Sequence, residues 1–167
     1  MSIKLLLLDV DGTMTNGKIT YSESGEELKS FCVKDGLAIA SWIRLGGKVA
    51  IITGRESKIV EKRAKELGVE FIYQGIKEKA KKVEEVLEKT NLSWENVAAI
   101  GDDLNDVSML KSAKISFAPA NCSRYIKNYV KIILNSNGGD GAIREMIEYI
   151  LEEEKRLKEF LILWGAN

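Results

Sequence analysis

Apolar residues arrive along this chain in two alternating rhythms. Short, nearly unbroken runs recur at Ile3 to Leu8, Lys48 to Thr53, Val69 to Tyr73, Val97 to Ile100, Ile115 to Ala118 and Val130 to Leu134. They lack the polar alternation of a half-solvated strand, so each predicts a strand buried on both faces. Between them lie segments whose apolar residues repeat every three or four positions: Asp35 to Leu45, about Ser57 to Leu67, Ile76 to Lys89 and a short one near Asp106 to Lys111. That spacing predicts amphipathic helices. Gly46-Gly47 and Gly68 supply helix stops. A long closing helix is predicted from Ala142 to about Leu163. One stretch breaks the rhythm: Lys18 to Ser22 and Glu27 to Phe31 flank Glu23-Ser24-Gly25-Glu26, which predicts a hairpin over about residues 17–32.

Strands alternating with helices at this spacing build βαβ units. The predicted fold is therefore α/β, a Rossmann-like three-layer α/β/α sandwich with a mostly parallel sheet, formed by residues 1–167 as one domain. In such sheets ligands bind beyond the carboxyl ends of the strands. Two acidic clusters fall there, Asp9/Asp11 and Asp102/Asp103/Asp106, and so does Thr53.

Composition narrows the chemistry. Twenty-five basic residues balance 25 acidic ones, which argues against nucleic acid or a membrane surface held by bulk charge. No membrane span or signal sequence is legible, so a cytoplasmic location is expected. The chain has no histidine, which removes Ser-His-Asp triads, Cys-His pairs and histidine metal sites. Its two cysteines, Cys32 and Cys122, form no CxxC and read as free thiols of a reducing compartment. Carboxylates, lysine, arginine, hydroxyls or a bound metal must do the work.

The acidic residues are used unevenly: 18 are Glu, scattered over helix surfaces, and only seven are Asp. Asp9-Val10-Asp11-Gly12-Thr13 sets two carboxylates just past a buried strand, and Gly101-Asp102-Asp103-x-x-Asp106 sets more past another. Carboxylates crowded in this way repel one another unless a cation lies between them. Oxygen-only donors select a hard ion, and Mg²⁺ bridges a few carboxylates to a substrate phosphate. Thr53 and Lys79 stand at element ends where a hydroxyl and an ammonium reach phosphate oxygens. Together these are the parts of a phosphoryl-transfer site.

The ordered set DxDGT, Ser/Thr, Lys, GDDxxD resembles the haloacid dehalogenase superfamily of phosphotransferases. A closer resemblance is to its 3-deoxy-D-manno-octulosonate 8-phosphate (KDO 8-phosphate) phosphatase family. It rests on Gly25-Glu26-Glu27-Leu28-Lys29 before Phe31, Val33-Lys34-Asp35-Gly36, Ile52-Thr53-Gly54-Arg55, Tyr73-Gln74-Gly75 ahead of Lys79, Gly101-Asp102-Asp103-Leu104, and Gly141-Ala142 with Arg144-Glu145. The resemblance implies that Asp9 is a nucleophile that becomes an aspartyl-phosphate and that Asp11 serves as acid and base. It implies Mg²⁺ held by Asp9, the backbone carbonyl of Asp11, and Asp102, with Asp103 or Asp106 nearby. Thr53 and Lys79 would hold the phosphoryl oxygens. Cys32, Val33, Lys34, Asp35 and Gly36, with Arg55, Arg63 and Lys79, would bind the sugar-acid phosphate. Ala40 and Asp140 depart from the family pattern, which leaves the fine substrate preference open, a nine-carbon sugar acid included.

Simpler readings stand beside these. Asp103 or Asp106 suits the cap of the following helix, and Asp35 and Asp140 suit N-caps. Arg63 sits mid-helix like a solvated surface residue, and Cys32 suits a small buried apolar role. Arg55, a cation at a helix N-terminus, opposes the macrodipole and so points to an anionic partner. A response-regulator receiver is disfavoured because no Asp ends the Lys48–Thr53 or Val69–Tyr73 strand. An idle assembly domain of this fold would lose Asp9 or Asp11, and dehalogenase relatives lack the second Asp. Neither gap between motifs has room for a full cap domain, so the hairpin stands in its place. The expected working unit is a homotetramer whose active site is closed by a neighbouring subunit. The apolar tail Phe160-Leu161-Ile162-Leu163-Trp164 would pack either on a neighbour or on its own sheet.

Overall fold

A computed structural model describes residues 2–166. The strands are β1 (Leu5–Leu8), β2 (Thr20–Tyr21), β3 (Glu27–Leu28), β4 (Lys48–Ile52), β5 (Phe71–Tyr73), β6 (Val97–Ile100), β7 (Ile115–Ala118) and β8 (Ile132–Ile133). The helices are α1 (Val33–Arg44), α2 (Lys58–Glu66), α3 (Lys79–Thr90), α4 (Val107–Ser112), α5 (Ala142–Glu153) and α6 (Leu157–Ile162). Six strands form one parallel sheet in the order β5-β4-β1-β6-β7-β8. β2 and β3 form a separate antiparallel hairpin, as the sequence pattern predicts.

The four leucines of β1 are fully buried because both faces of the sheet are covered. Successive side chains of a strand point to opposite faces, and the packing follows that alternation. Leu6 and Leu8 join the core under α1, α2 and α5, with Ile39, Trp42, Val60 and Ile147. Leu5 and Leu7 join the core under α3 and α4, with Val83, Val86, Met109 and Leu110. This is the three-layer sandwich. Leu8 lies in register with Ile51 on one side and Ile100 on the other, so the chain leaves β1, β4 and β6 at one level. The connections run one way from β1 through β4 to β5 and the other way from β6 onward, which opens a crevice at that level.

Two expectations change. The closing helix is not continuous: α5 ends at Glu153, Lys155 adopts φ 58°, and α6 starts at Leu157. A straight continuation would carry the apolar tail into water, whereas the reversal seats Phe160 in the core at 2% exposure. Trp164 Nε1 then donates to Ser41 Oγ at 2.9 Å, with the Arg44 guanidinium over the indole. In this single chain the tail packs on its own α1. The second change is at α1, which begins at Val33, so Asp35 lies inside the first turn instead of capping it. No helix among the described residues is long and apolar enough to cross a membrane.

Candidate active site

After β1 the chain makes one widened turn, Val10–Met14, with Gly12 at φ 100°. A side chain at Gly12 is excluded twice over. The angle is left-handed, and a Cβ there would stand 2.1 Å from Asp102 Oδ2. The glycine thus lets the two acidic loops touch, and Thr13 Oγ1 lies 3.4 Å from Asp102 Oδ1. From the far side Gly139 N donates to Thr13 O at 2.9 Å. Gly138 lies so close that a Cβ would fall 1.8 Å from Gly12 O. The Gly138-Gly139 loop therefore props the turn that carries Asp9 and Asp11.

Lys79 opens α3 and its side chain is fully buried. Its Nζ lies 2.5 Å from Asp9 Oδ1 and 2.5 Å from Asp106 Oδ1. Asp106 is fully buried too, and its Oδ2 accepts from the Asp102 and Asp103 amides at 3.0 and 3.3 Å. Asp103 caps the turn after β6 by accepting from Leu104 N at 2.8 Å. Of the two residues read as caps, Asp103 takes that part at the surface, while Asp106 anchors Lys79. Thr53 is 2% exposed just beyond β4. Its amide donates to Tyr73 O and its carbonyl accepts from Ile76 N, both at 3.0 Å.

One ammonium cannot balance three clustered carboxylates. Burial first, then the charge of Asp106, pushes the Asp9 carboxyl up to about 8 against the pull of Lys79. Burial and the charges of Asp106 and Asp103 push Asp102 up to about 6. Burial works against the charge on Lys79, but Asp9 and Asp106 outweigh it and its pKa is raised. Carboxylate oxygens of Asp9, Asp102 and Asp106 lie within 4.8 Å of one another. Asp106 has both oxygens taken, by Lys79 and by two amides, whereas Lys79 takes only Oδ1 of Asp9, so Asp9 and Asp102 keep carboxylate oxygens for a cation. An oxygen-only pair under this repulsion fits a hard divalent cation such as Mg²⁺.

The Asp11 side chain turns away from this group toward the hairpin, so only its backbone carbonyl is left as the expected ligand. Its Oδ1 is paired with Lys29, and its Oδ2 lies 3.8 Å from Arg55 Nε. Lys29 Nζ also lies 3.4 Å from Glu27 Oε1, and Arg55 Nη2 is 3.1 Å from that same oxygen. The Lys29 side chain is only 1% exposed. Sequence reasoning missed it as a site residue. The signal was the hairpin's inverted polarity: Glu27 and Lys29 share one face of the strand and point inward, while Leu28 between them is 54% exposed.

The other expected substrate contacts form a second group. Cys32 is half-buried, Val33 and Lys34 are exposed, and Gly36 packs under the Arg63 guanidinium, whose Nη2 would be 2.2 Å from a Cβ at that position. Arg63 also lies over the Phe31 ring at 6.0 Å, so it is not the solvated surface residue its mid-helix position suggested. Asp35 is placed differently from the other expected contacts: at 3% exposure its carboxylate accepts from Arg144 N at 2.9 Å and from Gly141 N at 3.4 Å, which caps α5. Gly141, not Asp140, occupies the N-cap position of α5, because Asp35 reaches across from α1 to supply the carboxylate.

A parallel sheet with two acidic loops meeting at its crevice and a buried lysine between them is the architecture of a haloacid dehalogenase-like hydrolase. The sequence profile of that description matches residues 70–147. The chain is 36% identical over 159 residues to the 3-deoxy-D-manno-octulosonate 8-phosphate phosphatase of Haemophilus influenzae, covering 95% of this chain and 88% of that protein. It is 39% identical over 158 residues to the Escherichia coli K12 enzyme of the same name, covering 95% and 84%. The crystal structure of that phosphatase from Moraxella catarrhalis, in complex with magnesium ion, phosphate ion and KDO, aligns with a TM-score of 0.94 at 36% identity, over 98% of this chain and 94% of that one. The chain belongs to the 3-deoxy-D-manno-octulosonate 8-phosphate phosphatase family.

Proposed function

We propose that this protein is a Mg²⁺-dependent phosphomonoester hydrolase that cleaves 3-deoxy-D-manno-octulosonate 8-phosphate to the free sugar acid and phosphate. The observation that carries the reading is the buried Lys79 between Asp9 and Asp106, beside Asp102. Asp9 attacks phosphorus; the bond from phosphorus to the sugar oxygen breaks, and Asp11 delivers a proton to that oxygen. Asp11 then takes a proton from water as the water attacks the aspartyl-phosphate, which frees phosphate and restores Asp9. Asp9, Asp102 and the Asp11 carbonyl hold Mg²⁺, which when bound offsets phosphoryl charge and keeps Asp9 ionised. Thr53 and Lys79 hold the phosphoryl oxygens. Arg55, Arg63 and the segment Cys32-Val33-Lys34, with Gly36, grip the sugar acid.

The hairpin supplies the lid through assembly. Ile19, Tyr21 and Leu28 are 44%, 59% and 54% exposed, an apolar face suited to copies of itself in a homotetramer. The reaction is placed in the cytoplasm, in keeping with two unbonded thiols. The test is phosphate release from a panel of phosphorylated eight- and nine-carbon sugar acids with Mg²⁺. Expected is preferential hydrolysis of the eight-carbon ester, abolished by chelator and by Asp9→Asn. A preference for the nine-carbon ester would move the substrate; turnover surviving in Asp9→Asn would overturn the mechanism.

A further inference from the structure

Lys79 fixes Asp9 and Asp106, and two backbone amides also hold Asp106, but among the described residues Asp11 has no such support from the sheet. It sits on an irregular turn at φ −80°, ψ 106°, followed by a left-handed glycine. Its carboxylate meets two cations. Arg55 approaches only to 3.8 Å, is 44% exposed in its side chain, and is closer to Glu27 at 3.1 Å. Lys29 is the tight partner, with a side chain 1% exposed. An aspartate side chain has several staggered rotamers, and a general acid works only within hydrogen-bond reach of the oxygen it protonates. Lys29 takes Oδ1 and so selects one rotamer, which leaves Oδ2 facing the more loosely held Arg55 at 3.8 Å.

Lys29 is also an expensive residue to place there. Burying an ammonium costs several kcal/mol unless it is paired, and a hairpin with an exposed apolar face offers little else to hold it. Glu27, two residues earlier on the same face, completes the pairing at 3.4 Å. The hairpin thus delivers a matched cation and anion to the acid/base carboxylate.

We propose that Lys29 is a positioning residue for the hydrolysis, holding the Asp11 carboxylate where it can protonate the leaving oxygen. This rests on the functional reading above. The role predicts dependence on the leaving group. A sugar alkoxide must be protonated as it departs, whereas p-nitrophenolate leaves without a proton. Lys29→Met, apolar and of similar length, should therefore lower kcat/KM on the sugar-acid phosphate by about 100-fold. On p-nitrophenyl phosphate kcat/KM, which reports only the steps through departure of the leaving group and not the later hydrolysis of the aspartyl-phosphate that both esters share, should fall by less than about threefold.

Both esters are assayed with wild-type protein, Lys29→Met and Lys29→Arg, and thermal unfolding is recorded for each. Lys29→Arg, which keeps a cation, should recover part of the lost kcat/KM on the sugar-acid phosphate. If Lys29→Met does not fold, Lys29→Gln takes its place in the same comparison. Equal losses of kcat/KM on the two esters, a loss on the sugar-acid phosphate confined to KM, or no loss at all would overturn the proposal and leave the hydrolase reading standing. No turnover of either ester by the wild type would overturn the hydrolase reading, and the proposal with it.

Discussion

Two lysines in this molecule are buried between pairs of carboxylates, and they are held in opposite ways. Lys79 is fully buried and joins Asp9 to Asp106 from the first turn of α3. Its backbone is fixed by a twelve-residue helix packed on the sheet through Val83, Val86 and Leu87. Lys29 joins Asp11 to Glu27 from a hairpin whose strands are two residues each. Among the described residues no helix packs on that hairpin as α3 packs on the sheet, and its outer face is apolar and exposed. The Asp9 side of the site is thus part of the folded core, and the Asp11 side belongs to an appendage. Two-stranded hairpins are marginal alone, so the Asp11 half of the site is the half that the proposed assembly would support.

The sharpest way to break this contrast is to remove each ammonium and compare. Lys79→Met leaves Asp9 and Asp106 buried without a counter-charge, and removing one partner from a buried pair costs about 3–5 kcal/mol. For Lys29→Met the carboxylates left behind are 19% and 18% exposed in their side chains and can recover water, so the cost should be nearer 1–2 kcal/mol, about that of an unsatisfied polar group. Urea unfolding of both variants measures the two values. Equal losses would show that the hairpin is as integral to the folded core as α3.

Arg55 sits on the border between the two halves. Arg55→Ala should weaken the cognate sugar-acid phosphate by about 10- to 100-fold in kcat/KM, the scale of a charge-assisted hydrogen bond of 1.5–3 kcal/mol. The effect on p-nitrophenyl phosphate should be small. An equal loss on both esters would place Arg55 with the phosphate-holding groups.

The same division decides what could be read from the sequence. The sheet, its covering helices and the Asp9, Asp102 and Lys79 side of the site were legible, because buried strands are continuous apolar runs and the acidic residues follow them directly. Lys29 was not legible as a site residue, because its role depends on which face of a short exposed hairpin turns inward. The break at Lys155 was missed for a related reason. The helical periodicity continues into Leu157 and Phe160, and only the need to bury Phe160 forces the reversal. The cap that Asp35 gives α5 was not legible because its partners, Gly141 and Arg144, lie more than a hundred residues away in sequence.

That capping role has its own test. If Asp35 caps α5, Asp35→Ala should cost about 1–2 kcal/mol, the usual range for a lost cap, and leave KM for the sugar-acid phosphate unchanged. A raised KM at unchanged stability would return Asp35 to the substrate.

The smallest effect separates the two halves by their response to pH. The Asp9 carboxyl is held up to about 8 in the folded protein, mainly by burial, and Asp102 up to about 6 for the same first reason. In the unfolded chain both titrate near the usual 3.8. Below about pH 4 both states hold these protons, and the contribution to folding is fully present. As pH rises from there to about 8, the unfolded chain has released its protons while the folded one still binds them, so stability is progressively lost. Mg²⁺ acts in the opposite sense. It binds the ionised carboxylates and displaces those protons, so its stabilisation should grow over the same window. Melting temperatures with Mg²⁺ and with chelator at pH 5.5, 7 and 8.5 should draw apart as pH rises. Asp9→Asn should flatten the slope of the metal-free protein, and Lys29→Met should leave that slope as it is, since Lys29 pairs with Asp11 and Glu27 only. A gap that stays constant or narrows with pH would show that the metal does not sit against Asp9 and Asp102.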